Sequence, residues 1–200
     1  SVSSFPTIFL KSVNLGILGV DLGYATVFDQ NQTSIYYLSK MQKLAAELNL
    51  STQFNSVTAK RFQTNVQNRD SLYKIILESF NEAHKFLIQN KRQDIGLLIS
   101  AGCFTESLYL TLRYAAETMD ARLLSLISRE QLMLNNLLEL LNSYKNNAEI
   151  SGLILRLKDV KLAYSGIPIS QGNSASGTIT AEQVRLLAAS ITTLRNGIVK

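Results

Sequence analysis

The sequence predicts an all-α protein, a bundle or stack of about seven to nine helices around one core, and three observations carry that expectation. Its two prolines, Pro6 and Pro168, lie outside the long periodic segments, as a helical protein requires of a residue that removes an interior hydrogen bond. Apolar side chains, leucine above all, recur at intervals of three and four along most of the chain. Ser, Thr, Asn and Asp stand directly ahead of several of these stretches, where their side chains can cap the first free N–H groups of a helix. With 200 residues and 46% hydrophobic content, the chain can bury a real core as one domain or two small ones.

Residues 1–11 carry Pro6 and no period, and read as an extended lead-in. A helical domain is expected over 12–164. Its first helix runs from Ser12 to about Asp29. The Asn31 to Ser34 cluster then supplies a turn and N-cap for a second helix, Ile35 to Leu48, with Leu38, Met41, Ala45 and Leu48 on one face. A weaker third helix spans Phe54 to Val66. Asn68 or Asp70 caps a fourth, whose Leu72, Ile75, Ile76, Phe80, Ala83 and Leu87 form a stripe. Lys91 to Asp94 closes that helix and opens a fifth, Ile95 to about Ala116.

Asp120 to Ile127 continues helical. Ser128-Arg-Glu-Gln131 has the form of a capping box that would open a further helix through Tyr144, and the pattern leaves open whether the two stretches are one long helix or two. Asn146 and Asn147 mark a turn before Ile150, Leu153, Ile154, Leu157, Val160 and Tyr164. The composition then shifts to Ser and Gly over 165–179, which reads as a loop. Thr180-Ala-Glu-Gln183 is a second capping box, opening a C-terminal amphipathic helix over 180–200 that packs on the same domain through Val184, Leu187, Ala188, Ile191 and Leu194.

The most informative run is Asn14 to Phe28, apolar except for a lone carboxylate and three glycines, Gly16, Gly19 and Gly23. In a helix these share one face, where each costs about 1 kcal/mol against alanine and signals close approach of another backbone. This predicts a buried, glycine-lined central helix. Read as strand and turn, Val20-Asp-Leu-Gly23 would instead resemble the first phosphate loop of actin-like and sugar-kinase-like ATPases. The helix is preferred, because no flanking strands and no adenosine-binding segment follow, and the chain turns helical within about ten residues of Gly23.

The fifth helix mirrors the first: Gly96, Ala101 and Gly102 lie in an apolar run with one carboxylate, Glu106. Aligning Asp21 with Glu106 also aligns Tyr24 with Tyr109, a weak sign of a duplicated unit. A carboxylate embedded in an apolar helix must be neutralised, hydrogen-bonded or paired. Tyr24, Tyr109, Arg113 or helix ends are the expected structural partners of this pair. The functional alternative is a ligand-binding pocket of Asp21, Tyr24, Glu106, Tyr109 and Arg113.

Other chemistry is poorly supplied. His84 is the sole histidine and Cys103 the sole cysteine, so neither a Cys/His zinc site nor a di-iron bundle in its usual form fits, and no metal or cofactor is expected. Apolar neighbours should raise the Cys103 thiol pKa and suppress reactivity. No catalytic residue can be named. A net charge of +5 spread without basic runs gives a weak footprint for nucleic acid, which is not an expected partner. No charge-free run has the length of a transmembrane span. The start at Ser1 without Met leaves open that a leader, a lipid-attachment cysteine or an upstream segment has been removed.

The blocks Asn14 to Ala25, Phe28 to Gln32, Tyr37-Leu38 and Lys43 to Leu48, with the ending Ile179 to Gln183 and Arg195 to Val199, resemble a family of all-helical exported proteins of Bacteroidetes bacteria, lipoproteins among them, to which no activity is assigned. Leu18 departs from it, standing where the family's first helix has an aromatic residue. The resemblance implies a periplasmic or outer-membrane-associated location and brings no site residues with it. The expectation for function is a non-enzymatic binding or scaffold domain of the cell envelope, with an unidentified protein or small molecule as partner. The alternative is a small-molecule-binding protein or enzyme with a polar pocket around Asp21 and Glu106.

Overall fold

The computed structural model describes residues 5–65, 67–169 and 179–199, and among these the chain forms eight α-helices and no strand. They are α1 (Ile8–Val27), α2 (Asn31–Glu47), α3 (Ser56–Thr64), α4 (Arg69–Gln89), α5 (Gln93–Thr118), α6 (Ala121–Asn142), α7 (Ala148–Ala163) and α8 (Ala181–Asn196). The all-α reading therefore holds, and α1 running unbroken through Val20 to Gly23 removes the phosphate-loop alternative. The helices fall into two compact units, Ser1–Cys103 and Phe104–Lys200, so the beginning of α5 belongs to the first and the rest to the second.

Helix starts follow side-chain chemistry. Thr7, Asn55, Asn68, Asp120 and Asn147 each accept a hydrogen bond from a first-turn N–H of the helix they precede. Thr180 and Gln183 form the predicted capping box. Thr7 starts α1 four residues before the expected Ser12, whose own hydroxyl instead donates back to the Ile8 carbonyl. The lead-in is thus shorter than expected, and its first four residues lie outside the described ones, as do 170–178 of the Ser/Gly-rich stretch.

Three helix ends share one device. Asp29, Asn49 and Lys91 take the left-handed conformation just past α1, α2 and α4. The next N–H in each case, of Gln30, Leu50 and Arg92, reaches back to the carbonyls of Ala25, Ala45 and Leu87, the Schellman arrangement that satisfies free carbonyls at a helix end. The turn at Asp29 is so short that α2 already begins at Asn31. Ser34, expected as its cap, is buried inside the helix and its hydroxyl has no partner among the described residues. Of the one or two helices left open between Asp120 and Tyr144 the chain forms one, and the box at Ser128 does not form. One uninterrupted α6 runs through it, and Ser128 donates instead to the Pro168 carbonyl at 2.5 Å.

In the first unit α2 and α4 pack on α1, and α3 on α4. Leu15, Leu22, Met41, Leu44, Leu48, Phe62, Leu72 and Leu87 are almost wholly buried there. The glycines decide how close the start of α5 can come. A Cβ on Gly16 would collide with the Ile99 carbonyl and crowd the Cys103 backbone, and one on Gly102 would collide with the Val13 carbonyl. The close backbone approach expected of the first-helix glycines is therefore real at Gly16. Gly19 differs, since its missing Cβ makes room for the Phe80 ring, and Gly23 has open space beside it.

In the second unit α7 packs between α6 and α8. Ile127, Leu134, Leu141, Leu153, Leu157, Val160, Leu187 and Ile191 form the apolar interior, with Leu108 and Leu112 from α5 also buried. Helices α1 and α5 are long and apolar enough to cross a membrane by length and composition alone. In the apolar 18-residue stretch that passes that test in each, 56% is buried within the protein, as in a core helix.

Candidate functional site

Asp21 and Tyr24 fall in the first unit, and Glu106, Tyr109 and Arg113 in the second. Asp21 is half-buried on α1 and already engaged by another group. Tyr24 is exposed and stacks on Phe28, ring centroids 4.5 Å apart.

Glu106 is a different case, with only 1% of its surface exposed. Its carboxylate accepts two hydrogen bonds from one guanidinium, Nε of Arg195 at 2.5 Å and Nη2 at 3.0 Å. This is the fork geometry in which arginine and carboxylate match best. The guanidinium carbon lies 4.4 Å from the centre of the Tyr109 ring, whose face adds cation–π attraction. Arg113 stays exposed and donates only a long 3.5 Å contact to the Tyr109 hydroxyl. The partner of Glu106 is thus Arg195, 89 residues away on α8, rather than Arg113 or Tyr109 on its own helix. A carboxylate held this way is neutralised in place, and the pair fixes where α8 sits against α5 in the second unit.

Cys103 is half-buried, and its thiol donates to the Gly16 carbonyl at 3.5 Å. Burial pushes the thiol pKa up to about 11, the direction expected from its apolar neighbours, so it is protonated and unreactive near neutral pH. His84 is exposed on α4. No cluster of three or more His, Cys, Asp or Glu side chains that could hold a metal occurs among the described residues.

The second unit carries a site that the sequence reading missed. The segment following α7 turns back through Gly166, which takes a left-handed φ of 77°, and is tied to α6 by Gln131, whose Nε2 donates to the Ile167 carbonyl at 3.1 Å, and by Ser128. Between α6, α7 and this turn lies a groove of about 500 Å³, within the range of small-molecule sites. Leu134, Leu162 and Ile167 line it with apolar surface, and Lys158 and Lys161 with positive charge. The two lysines lie three apart on α7 and so share a face. Neither forms an ion pair among the described residues.

Two residues of the lining, Asn135 and Tyr164, carry buried polar atoms. The Tyr164 hydroxyl and the Asn135 Oδ1 are both buried and have no hydrogen-bond partner among the described residues. Tyr164 as a whole is only 3% exposed. Leaving a buried donor or acceptor unpaired costs about 1–3 kcal/mol, so such atoms ask for an explanation. Burial first, and the field of Glu130 second, push the Tyr164 phenol pKa well above its ordinary value. The phenol is therefore neutral and keeps its proton to donate. Glu130 is itself half-buried, with its carboxyl pKa raised by burial.

In the sequence, Tyr164 merely continues the apolar pattern of Ile150 to Val160, and the lysines belong to a charge spread without basic runs. The available signal was Asn135, an amide beside Leu134 in an otherwise leucine-rich helix. No family model, curated protein or solved structure matches the chain.

Proposed function

We propose that the protein is a non-catalytic binding domain whose second unit takes up a small polar molecule in the groove between α6, α7 and the Tyr164–Ile167 turn. The observation that carries this reading is that two residues of the groove lining, Tyr164 and Asn135, hold buried polar atoms with no partner among the described residues, beside two lysines that form no ion pair among them. A ligand that supplies both partners recovers the cost of burying them. The groove offers a donor, an acceptor and positive charge over an apolar wall, which is equipment for recognition. The sequence resemblance to exported helical proteins supports a cell-envelope location.

Native mass spectrometry of the purified protein beside its denatured mass tests the reading. The expected result is an added mass, or one acquired on soaking with a metabolite extract, that Tyr164→Phe reduces. A bare mass under both conditions overturns it.

A second reading, a scaffold that docks a protein partner, is favoured by a separate feature. Leu126, Met133 and Leu140 stand exposed at seven-residue intervals on α6, and Leu155 and Leu162 do so on α7. Apolar stripes of this kind mark interaction surfaces. A stable oligomer or complex lost on Met133→Lys would support it.

A further inference from the structure

Resting on the groove reading, we propose that the ligand is a small organic carboxylate bearing an amide N–H, of the class of N-acyl amino acids. Each part of that description answers one part of the site. Lys158 and Lys161, on one face of α7 in the groove lining and in no ion pair among the described residues, call for an anion. Lysine binds anions as a point charge and does not by itself distinguish carboxylate from phosphate. The distinction comes from Asn135 Oδ1, an acceptor with no lone donor to serve it. Facing an unprotonated phosphate oxygen it would meet a second acceptor and be repelled. It requires a ligand N–H or O–H placed apart from the anionic end.

Tyr164 retains its proton and can donate it to a ligand carbonyl. A donor and an acceptor on neighbouring atoms, next to an anion, are what an acylated amino acid presents. Its side chain would lie along Leu134, Leu162 and Ile167, the apolar wall. The groove's 500 Å³ accommodates a molecule of this size. Lys158 and Lys161 are the two charged residues of the groove lining. The carboxylate therefore belongs at the lysine edge and the amide over Tyr164 and Asn135.

The same chemistry occurs in a free N-acyl amino acid and at the C-terminus of a peptide, so the test separates these sources. Isothermal titration and amide NMR shifts of the full chain are recorded with N-acetyl-leucine, with a tripeptide ending in leucine, with N-acetyl-leucinamide, with 4-methylpentanoate and with inorganic phosphate. N-acetyl-leucine is expected to shift the amides of Tyr164 to Ile167. Removing either its charge or its N–H should weaken binding about tenfold or more, as losing one charge-assisted or buried hydrogen bond does. Comparable binding of the tripeptide assigns the site to peptide termini, and its exclusion assigns the site to free metabolites.

Tyr164→Phe and the double variant Lys158→Gln with Lys161→Gln should each weaken N-acetyl-leucine about tenfold, with the far-UV circular dichroism of the wild type. Equal binding of acid, amide and 4-methylpentanoate, or tighter binding of phosphate, overturns the ligand class while the groove stands as a site. If N-acetyl-leucine has no effect but a co-purifying mass depends on Tyr164, the class again fails and the groove reading survives. If no probe shifts the groove and no mass is retained, both fail.

Discussion

Helix α5 contributes to each unit by an opposite means, and the two contacts sit four residues apart on it. At Gly102 nothing but backbone meets backbone, because the absence of a side chain lets the Val13 carbonyl come within the space a Cβ would occupy. At Glu106 a full charge is buried and held by the two-pronged contact of Arg195. The first contact is close packing secured by having no atoms to spare. The second is a polar contact that specifies a partner. Each should therefore fail differently when changed.

The largest effect is expected at the glycine contact. In Gly102→Ala the new methyl overlaps a carbonyl that belongs to a helix backbone and cannot rotate aside, so the first unit should lose more than about 4 kcal/mol, the upper end for a single substitution. Gly96→Ala on the same helix is the matched control. Its Cβ would meet only His84 Nδ1 at 3.7 Å and Leu87 Cδ1 at 3.8 Å, ordinary contact distances, so helix propensity should leave it neutral or slightly stabilised. Urea unfolding of the two variants settles the contrast. If they fall together, close backbone approach is not what Gly102 provides.

The ion pair should break almost as hard but be repairable. Arg195→Ala leaves the 1%-exposed Glu106 carboxylate unpaired, and a loss of about 3 kcal/mol is expected. Glu106→Gln should cost a similar amount, since it turns an amide toward the guanidinium. The double variant Glu106→Leu with Arg195→Met should return to within about 1 kcal/mol of the wild type, because an apolar pair of similar volume avoids desolvating either charge. Thermal unfolding of the four proteins gives the coupling directly. If the double variant is no better than Arg195→Ala alone, the pair is needed for more than mutual neutralisation. Because the pair lies outside the groove lining, ligand uptake by the folded fraction of these variants should be unchanged.

The same contrast separates what the sequence reveals from what it hides. Periodicity and caps found the helices, because leucine spacing and residues such as Asn68 and Thr180 act within a turn of where they are read. Helix ends were harder. Asp29, Asn49 and Lys91 close their helices through left-handed turns without the glycine or proline that would announce one. Ser128 misled because its pattern matches a box, while its hydroxyl is claimed by Pro168, forty residues on. Glu106 was recognisable as a carboxylate in need of a partner, yet Arg195 could not be chosen among 20 basic residues. The groove was least legible of all. Tyr164, Asn135 and the two lysines acquire meaning only when α6, α7 and the following turn converge, and an unpartnered atom is a property of that convergence.

The glycines of α1 supply the most discriminating test, reaching down to the smallest expected effect, because three residues with one sequence signature have three different surroundings. Gly16 abuts the Ile99 carbonyl and Gly19 the ring of Phe80, while a Cβ on Gly23 meets nothing within 4 Å. Backbone cannot move aside, a ring can shift at some cost, and open space offers no resistance. Alanine at Gly16 should therefore destabilise as strongly as at Gly102. At Gly19 the price of moving Phe80 away from its edge-on contact with Phe54 should leave a loss of about 1 kcal/mol. At Gly23 the helix gains a better former and the unfolded chain loses freedom, so stability should rise by about 0.5–1 kcal/mol. Chemical denaturation of the three variants tests the order as well as the sign. If Gly23→Ala destabilises, its face of α1 is covered by something that binds there, and the signature shared by the three glycines would then have a common cause.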